Sequence, residues 1–190
     1  MIGNAVAGIY GIGVAPVLTA YESIATTTVG SGGTSTITFS SIPATYTHLQ
    51  LRIIARTNRG SARDYFRLRF NADTTSNYSY HNLSGNGSSA TSTASTSDVA
   101  IDSGLAATTA QASNIFGVSI YDILDYANTN KYKTTRNLAG VDSNDTNGKI
   151  SFESGSWRST SAVSTITLIS GTGSDFLQYS SFALYGIKGA

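Results

Sequence analysis

FGVSIYDILDYANTNKYKTTRNL, residues 116–138, decides how the rest of the chain is read. Phe116, Val118 and Ile120 alternate with Gly117, Ser119 and Tyr121, the period of two that marks a strand with one buried face. Asp125, Asn128, Asn130 and Lys131 then crowd a short segment where a turn costs little, because Asn and Asp side chains bond their own backbone. Tyr132, Thr134 and Thr135 resume the β-prone pattern, so the reading is a hairpin. Asp122 and Asp125 do not form an acid–base pair there, since residues three apart on a strand point to opposite faces. Asp125 is expected to cap the turn and Asp122 to pair with Arg or Lys.

Working outward, the same period recurs with no helical pattern. Leu49, Leu51, Ile53 and Ala55 share one face of a strand, and Gln50, Arg52, Ile54 and Arg56 the other. Phe66, Leu68 and Phe70 alternate with Tyr65, Arg67 and Arg69. Thr36 to Phe39, Tyr78 to Leu83, Ile150 to Phe152, Ile166 to Leu168 and Phe182 to Tyr185 are further strands. Pro43 and the Gly30–Gly33 run end strands, as does the DSNDTNG turn from Asp142. Residues 85–97, nearly all Ser, Thr, Ala and Gly, bury too little apolar surface to fix themselves and read as a mobile surface loop. Strands at this spacing predict an all-β fold, a two-sheet antiparallel β-sandwich closed as a jelly roll.

Composition sets limits on function. The 190 residues suit one domain, taken as 21–190, preceded by an arm over residues 1–20. The arm is uncharged and glycine-rich, a poor spanning helix and a poor secretory signal, so no membrane association is expected. Ile9, Tyr10 and Ile12 are its candidate docking residues. Charged residues make up 12% of the chain, about half the usual share, a surface suited to standing against copies or partners. A net charge of +1 gives no general affinity for nucleic acid. Without cysteine there is neither disulfide nor thiolate chemistry.

Six of the twelve Lys/Arg residues fall between Arg52 and Arg69. Arg52, Arg56, Arg67 and Arg69 are expected to line one outer surface if their two strands are neighbours, with Arg over Lys favouring bidentate contact with carboxylates or phosphates. Tyr126 and Tyr132 are further candidate interface residues. Trp157 is the candidate contact for a sugar ring, although a lone Trp in a sandwich also serves as core filler. Asp142, Asn144 and Glu153 match three places of a calcium loop, but Asn147 stands where that loop needs glycine. Neither His48 nor His81 has the partners of a metal pair or a triad. No catalytic residue, metal site or cofactor is expected.

Several segments carry a resemblance: DYANTNKYKT (Asp125 to Thr134), YESIATTTVGSGG from Tyr21, IPATYTHLQLR from Ile42, RFNADTTSNYS from Arg69, SGSWRSTSAV from Ser154 and SSFALYGIKG from Ser180. Together they resemble virion structural proteins of tailed bacteriophages. The resemblance implies a virion component, and the uncharged Gly-rich arm, low charge content and cysteine-free β-sandwich suit a non-enzymatic capsid decoration (cement) protein. It would bind the major capsid protein or other virion proteins as a homo-oligomer, with a trimer as the working expectation. Such a protein is assembled in the bacterial cytoplasm and resides in the virion. The alternative is a tail or tail-fibre component whose β-sandwich binds a host glycan.

Overall fold

The structure, a computed structural model, describes residues 20–189. Ile9, Tyr10 and Ile12, with nearly all of the arm, lie outside the described residues. Among the described residues there are twelve strands and no helix: β1 (Tyr21–Thr28), β2 (Thr36–Phe39), β3 (His48–Thr57), β4 (Asp64–Phe70), β5 (Tyr78–Gly85), β6 (Ala90–Asp98), β7 (Ile101–Thr108), β8 (Gly117–Leu124), β9 (Lys133–Val141), β10 (Lys149–Trp157), β11 (Ile166–Ser170) and β12 (Ser181–Ile187). One antiparallel run follows the order β1-β12-β3-β8-β9-β10-β5-β6, and a second the order β2-β11-β4-β7. A short parallel pairing of Arg56 with Ala107 and Thr57 with Thr108 joins β3 to β7. The chain is thus all-β, and its pairing makes one mixed sheet of 12 strands rather than two separate antiparallel sheets.

Alternation builds the core. Leu49, Leu51 and Ile53 of β3, Phe66, Leu68 and Phe70 of β4, Ile166 and Leu168 of β11, and Phe182 and Leu184 of β12 are all buried. Each side chain of this size stabilises the fold by about 1.5–3 kcal/mol relative to exposure. Aromatic contacts tie the two runs together. The Phe66 and Phe176 rings lie 5.7 Å apart, Phe176 and Phe182 4.9 Å, and Phe70 and Trp157 5.6 Å.

The hairpin forms as read, with Asp122 opposite Arg136 and Leu124 opposite Thr134. Asp125 closes its turn through its own carbonyl, which accepts from the Asn128 N–H at 2.9 Å. Lys133, fully buried, locks the turn from inside. Its ammonium donates to the carbonyls of Asn128 at 2.5 Å, Lys131 at 2.9 Å and Thr160 at 3.3 Å.

The alternation alone does not say which face of the hairpin is buried. Gly117, Ser119, Tyr121 and Ile123 point inward, while Val118 and Ile120 are exposed. The reason is β7, which packs close against β8, β9 and β10 and leaves no room for a side chain at several inner positions. Gly104 sits at φ +75°, where a Cβ would stand 2.3 Å from the Tyr121 hydroxyl and 2.5 Å from the Phe66 ring. A Cβ at Gly155 would meet Thr135 at 2.6 Å and Ile101 at 2.7 Å.

Residues 85–97 are a second correction. Most of this run is strand β6, paired with β5 from Gly85 opposite Ala90 to Tyr80 opposite Ser95. Its connecting turn is held by the Asn86 side-chain oxygen, which accepts from the N–H groups of Ser88 at 3.0 Å and Ser89 at 2.9 Å. An edge strand needs a backbone ladder more than a buried face, and Ser and Thr supply it without apolar content.

Candidate functional site

On β3, β8, β9, β10 and β5 the residues facing away from the core form rows across the strands. Arg52 stands opposite Ile120, Ile120 opposite Leu138, Leu138 opposite Phe152, and Phe152 opposite Leu83. In the next row Ile54 stands opposite Val118, Val118 opposite Gly140, Gly140 opposite Ile150, and Ile150 opposite Gly85. Seven large apolar side chains (Ile54, Leu83, Val118, Ile120, Leu138, Ile150 and Phe152) therefore lie side by side in solvent, up to 59% exposed at Ile150. Their apolar surface is on the order of 600 Å², the upper end of what a typical monomer exposes in one patch.

The face has relief. Gly140 has no side chain between Val118 and Ile150, and a Cβ there would meet nothing closer than the Lys149 carbonyl at 3.7 Å. The resulting groove, of about 690 Å³, has Gly140 among its lining residues and runs between Ile150, Leu138 and the β8 pair Val118 and Ile120. A polar row borders it. Arg52 Nε donates to Gln50 at 2.9 Å, Gln50 Nε2 to Asp122 at 2.8 Å, and Arg136 to the other Asp122 oxygen at 2.7 Å. Burial pushes the Asp122 carboxyl up, but the bonds from Gln50 and Arg136 outweigh it and hold the group below its ordinary range. An apolar centre with a charged, hydrogen-bonded border is the anatomy of a protein–protein interface.

The residues singled out from the sequence scatter. β3 and β4 belong to different antiparallel runs, so Arg52 and Arg56 share no surface with Arg67 and Arg69. Arg52 lies at the margin of the apolar face, 5.8 Å from the Tyr21 ring centre and 5.2 Å from that of Tyr185. Arg56 is buried and donates to the carbonyls of Gln111, Ala112 and Ile115, so it fastens a loop and contacts no partner. Arg67 pairs with Asp102 at 2.9 Å, and Arg69 donates to the Val99 carbonyl at 3.1 Å. Tyr126 is buried with its hydroxyl donating to the Pro43 carbonyl, which removes it from any interface. Tyr132 is exposed, in the hairpin turn.

Trp157 is no sugar platform. It is buried beside Phe70 and Tyr78, and its indole N–H donates to Asp73 at 2.7 Å. Among the described residues no group of three or more His, Asp or Glu is placed to hold a metal ion. None is a helix long and apolar enough to cross a membrane.

None of the apolar-face residues was chosen from the sequence as a site. The signal was present in three consecutive strands. Val118 and Ile120 oppose Gly117 and Ser119; Leu138 opposes Asn137 and Ala139; Ile150 and Phe152 oppose Ser151 and Glu153. Small and polar residues on one pleat of three neighbouring strands indicate a close-packed inner layer, which leaves the apolar pleat outside.

Comparison with known proteins gives no matching family model, no matching curated protein and no matching solved structure.

Proposed function

We propose that this chain is a structural component of a bacteriophage virion, a capsid decoration (cement) protein that docks on the shell of major capsid protein. It uses the outer face of β3, β8, β9, β10 and β5. The observation that carries this reading is the apolar face itself, seven exposed aliphatic and aromatic side chains in register across five strands. Covering it would release about 15 kcal/mol gross, most of it offset by lost rigid-body freedom and side-chain ordering. A modest contact repeated over a lattice gains through multivalency, which suits a shell-binding protein. The low charge content and the resemblance of segments such as DYANTNKYKT to virion proteins support the same reading.

In this reading the eight-strand and four-strand runs pack face to face as a jelly-roll-like sandwich. The shared aromatic core of Phe66, Phe70, Trp157, Phe176 and Phe182 supports that packing. Gold-labelled antibody applied to purified virions tests the function. Label distributed over the head is the expected result; label confined to the tail, or absent from particles, overturns it.

A further inference from the structure

Among the described residues the sheet has three edges: β1, which pairs only with β12, β2, which pairs only with β11, and β6, which pairs only with β5. An open edge presents a row of unpaired N–H and C=O groups, and proteins ordinarily guard it with charge, proline, a bulge or brevity. β2 is guarded by its length of 4 residues. β1 is guarded by Glu22, which accepts from Lys188 and from the Tyr46 hydroxyl, and by a break in register between Ser23 and Ala25. β6 has no such guard. It is 9 residues long, with no Lys, Arg, Asp, Glu or Pro from Ala90 to Ser97. Its break in register lies at the far end, between Tyr78 and Tyr80 of its partner strand, so Ala90 to Ser95 run in unbroken register and are nearly all exposed.

Ladder geometry identifies the open groups. The Asn86 N–H donates to the Ser89 carbonyl at 3.2 Å, which makes these two a bonded pair. Bonded and non-bonded pairs alternate along an antiparallel ladder. Ser84 with Thr91 and Asn82 with Thr93 are therefore bonded pairs, and Ala90, Ser92 and Ala94 turn their N–H and C=O groups away from β5.

We propose that β6 pairs antiparallel with β6 of a second copy of this chain about a two-fold axis, joining two sheets edge to edge. The strand itself selects this partner. Self-pairing about a two-fold sets each residue against the same segment read backwards, where a charge near the axis would meet its own copy. The run from Ala90 to Ser97 has none, and its Thr and Ser residues are ones whose cross-strand pairs are favourable. The pairing is also continuous with the apolar face. The row of Ile120, Leu138, Phe152 and Leu83 ends at Ser92 of β6. Across the axis that row resumes in the second copy, so the two apolar faces lie on one side of one extended sheet. The closed assembly is a dimer in place of the expected trimer. It forms or fails independently of what the apolar face docks on.

Sedimentation velocity of the full chain tests it, together with a series of single-cysteine variants. A strand edge buries less than a standard interface, so dimer is expected at about 100 μM and monomer at about 1 μM. Ser92→Pro removes an outward N–H and no bond to β5, and is expected to weaken the dimer about tenfold or more with an unchanged circular dichroism spectrum. Opposed Cα atoms of an antiparallel pair lie about 4.5–5.5 Å apart, within reach of a disulfide. Thr91→Cys, Ser92→Cys, Thr93→Cys and Ala94→Cys, oxidised with copper phenanthroline, are expected to cross-link, most efficiently at the position nearest the axis and more than Leu138→Cys on the apolar face. Where Ser92→Pro does not fold, the cysteine series decides. A chain that stays monomeric at about 100 μM overturns the proposal, as does a dimer that a folded Ser92→Pro leaves unchanged, or cross-linking in β6 no stronger than at Leu138→Cys.

Discussion

Asp73 and Trp157 show how much single side chains carry in a chain with few charges. The Asp73 carboxylate accepts from the Trp157 indole at 2.7 Å, the Thr75 N–H at 2.8 Å and hydroxyl at 2.5 Å, and Asn77 at 3.1 Å. Burial pushes this carboxyl up, but the bonds from Thr75, Trp157 and Asn77 outweigh it and leave the group well below its ordinary range. Asp73→Ala strands the indole N–H and is expected to cost about 1–3 kcal/mol in urea unfolding. On the alkaline side its neighbour Tyr78 is one of five tyrosines, with Tyr46, Tyr80, Tyr121 and Tyr126, whose phenols burial raises. Burial, the largest cause, raises the Tyr78 phenol from 10.0 to about 12. Because the folded state holds the proton more tightly, this stabilisation is complete below the unfolded value and is lost as pH rises through the folded one. Thermal melts are therefore expected to fall in temperature from about pH 10 to pH 12, with a shallower fall in Tyr78→Phe.

The elements were legible where one face met an ordinary apolar core. β3, β4 and β12 follow their alternation directly, and the hairpin of β8 and β9 pairs as its Asn/Asp turn implied. Two features were not legible, each for a physical reason. β6 is ordered by a backbone ladder that Ser and Thr do not advertise. The outward direction of Val118, Ile120, Leu138 and Phe152 depends on β7 lying beneath them, and a period of two gives no sign of which pleat faces in. That arrangement rests on Gly104, whose positive φ and 2.3 Å and 2.5 Å encounters leave no space for a methyl group. Gly104→Ala is expected to lose about 2–4 kcal/mol, from strain and overpacking together, measurable as a lowered urea midpoint. Gly140→Val makes the contrasting case. Its Cβ makes only an ordinary van der Waals contact, 3.7 Å from the Lys149 carbonyl, so stability is expected to change by less than about 1 kcal/mol while the outer groove fills.

At the scale of the whole molecule, two faces of the same strands carry different chemistry. The inner side of β10 and β5 buries Ser84, Ser151 and Glu153 beside Tyr78 and Trp157, and the outer side is exposed hydrocarbon. A patch at the upper end of what a monomer exposes marks either an interaction site or an aggregation liability. The central claim is that the face is covered in the assembled state. The absence of cysteine from the chain permits a direct measurement: Leu138→Cys puts a single thiol in the middle of the face, and Thr38→Cys puts one at an exposed position on β2, the edge strand of the other run. Maleimide labelling is then compared between free protein and purified particles carrying it. The account predicts that Cys at Leu138 reacts readily in free protein and is protected in particles, while the thiol at Thr38 reacts in both. Equal reactivity of the Leu138 thiol in the two states would contradict it.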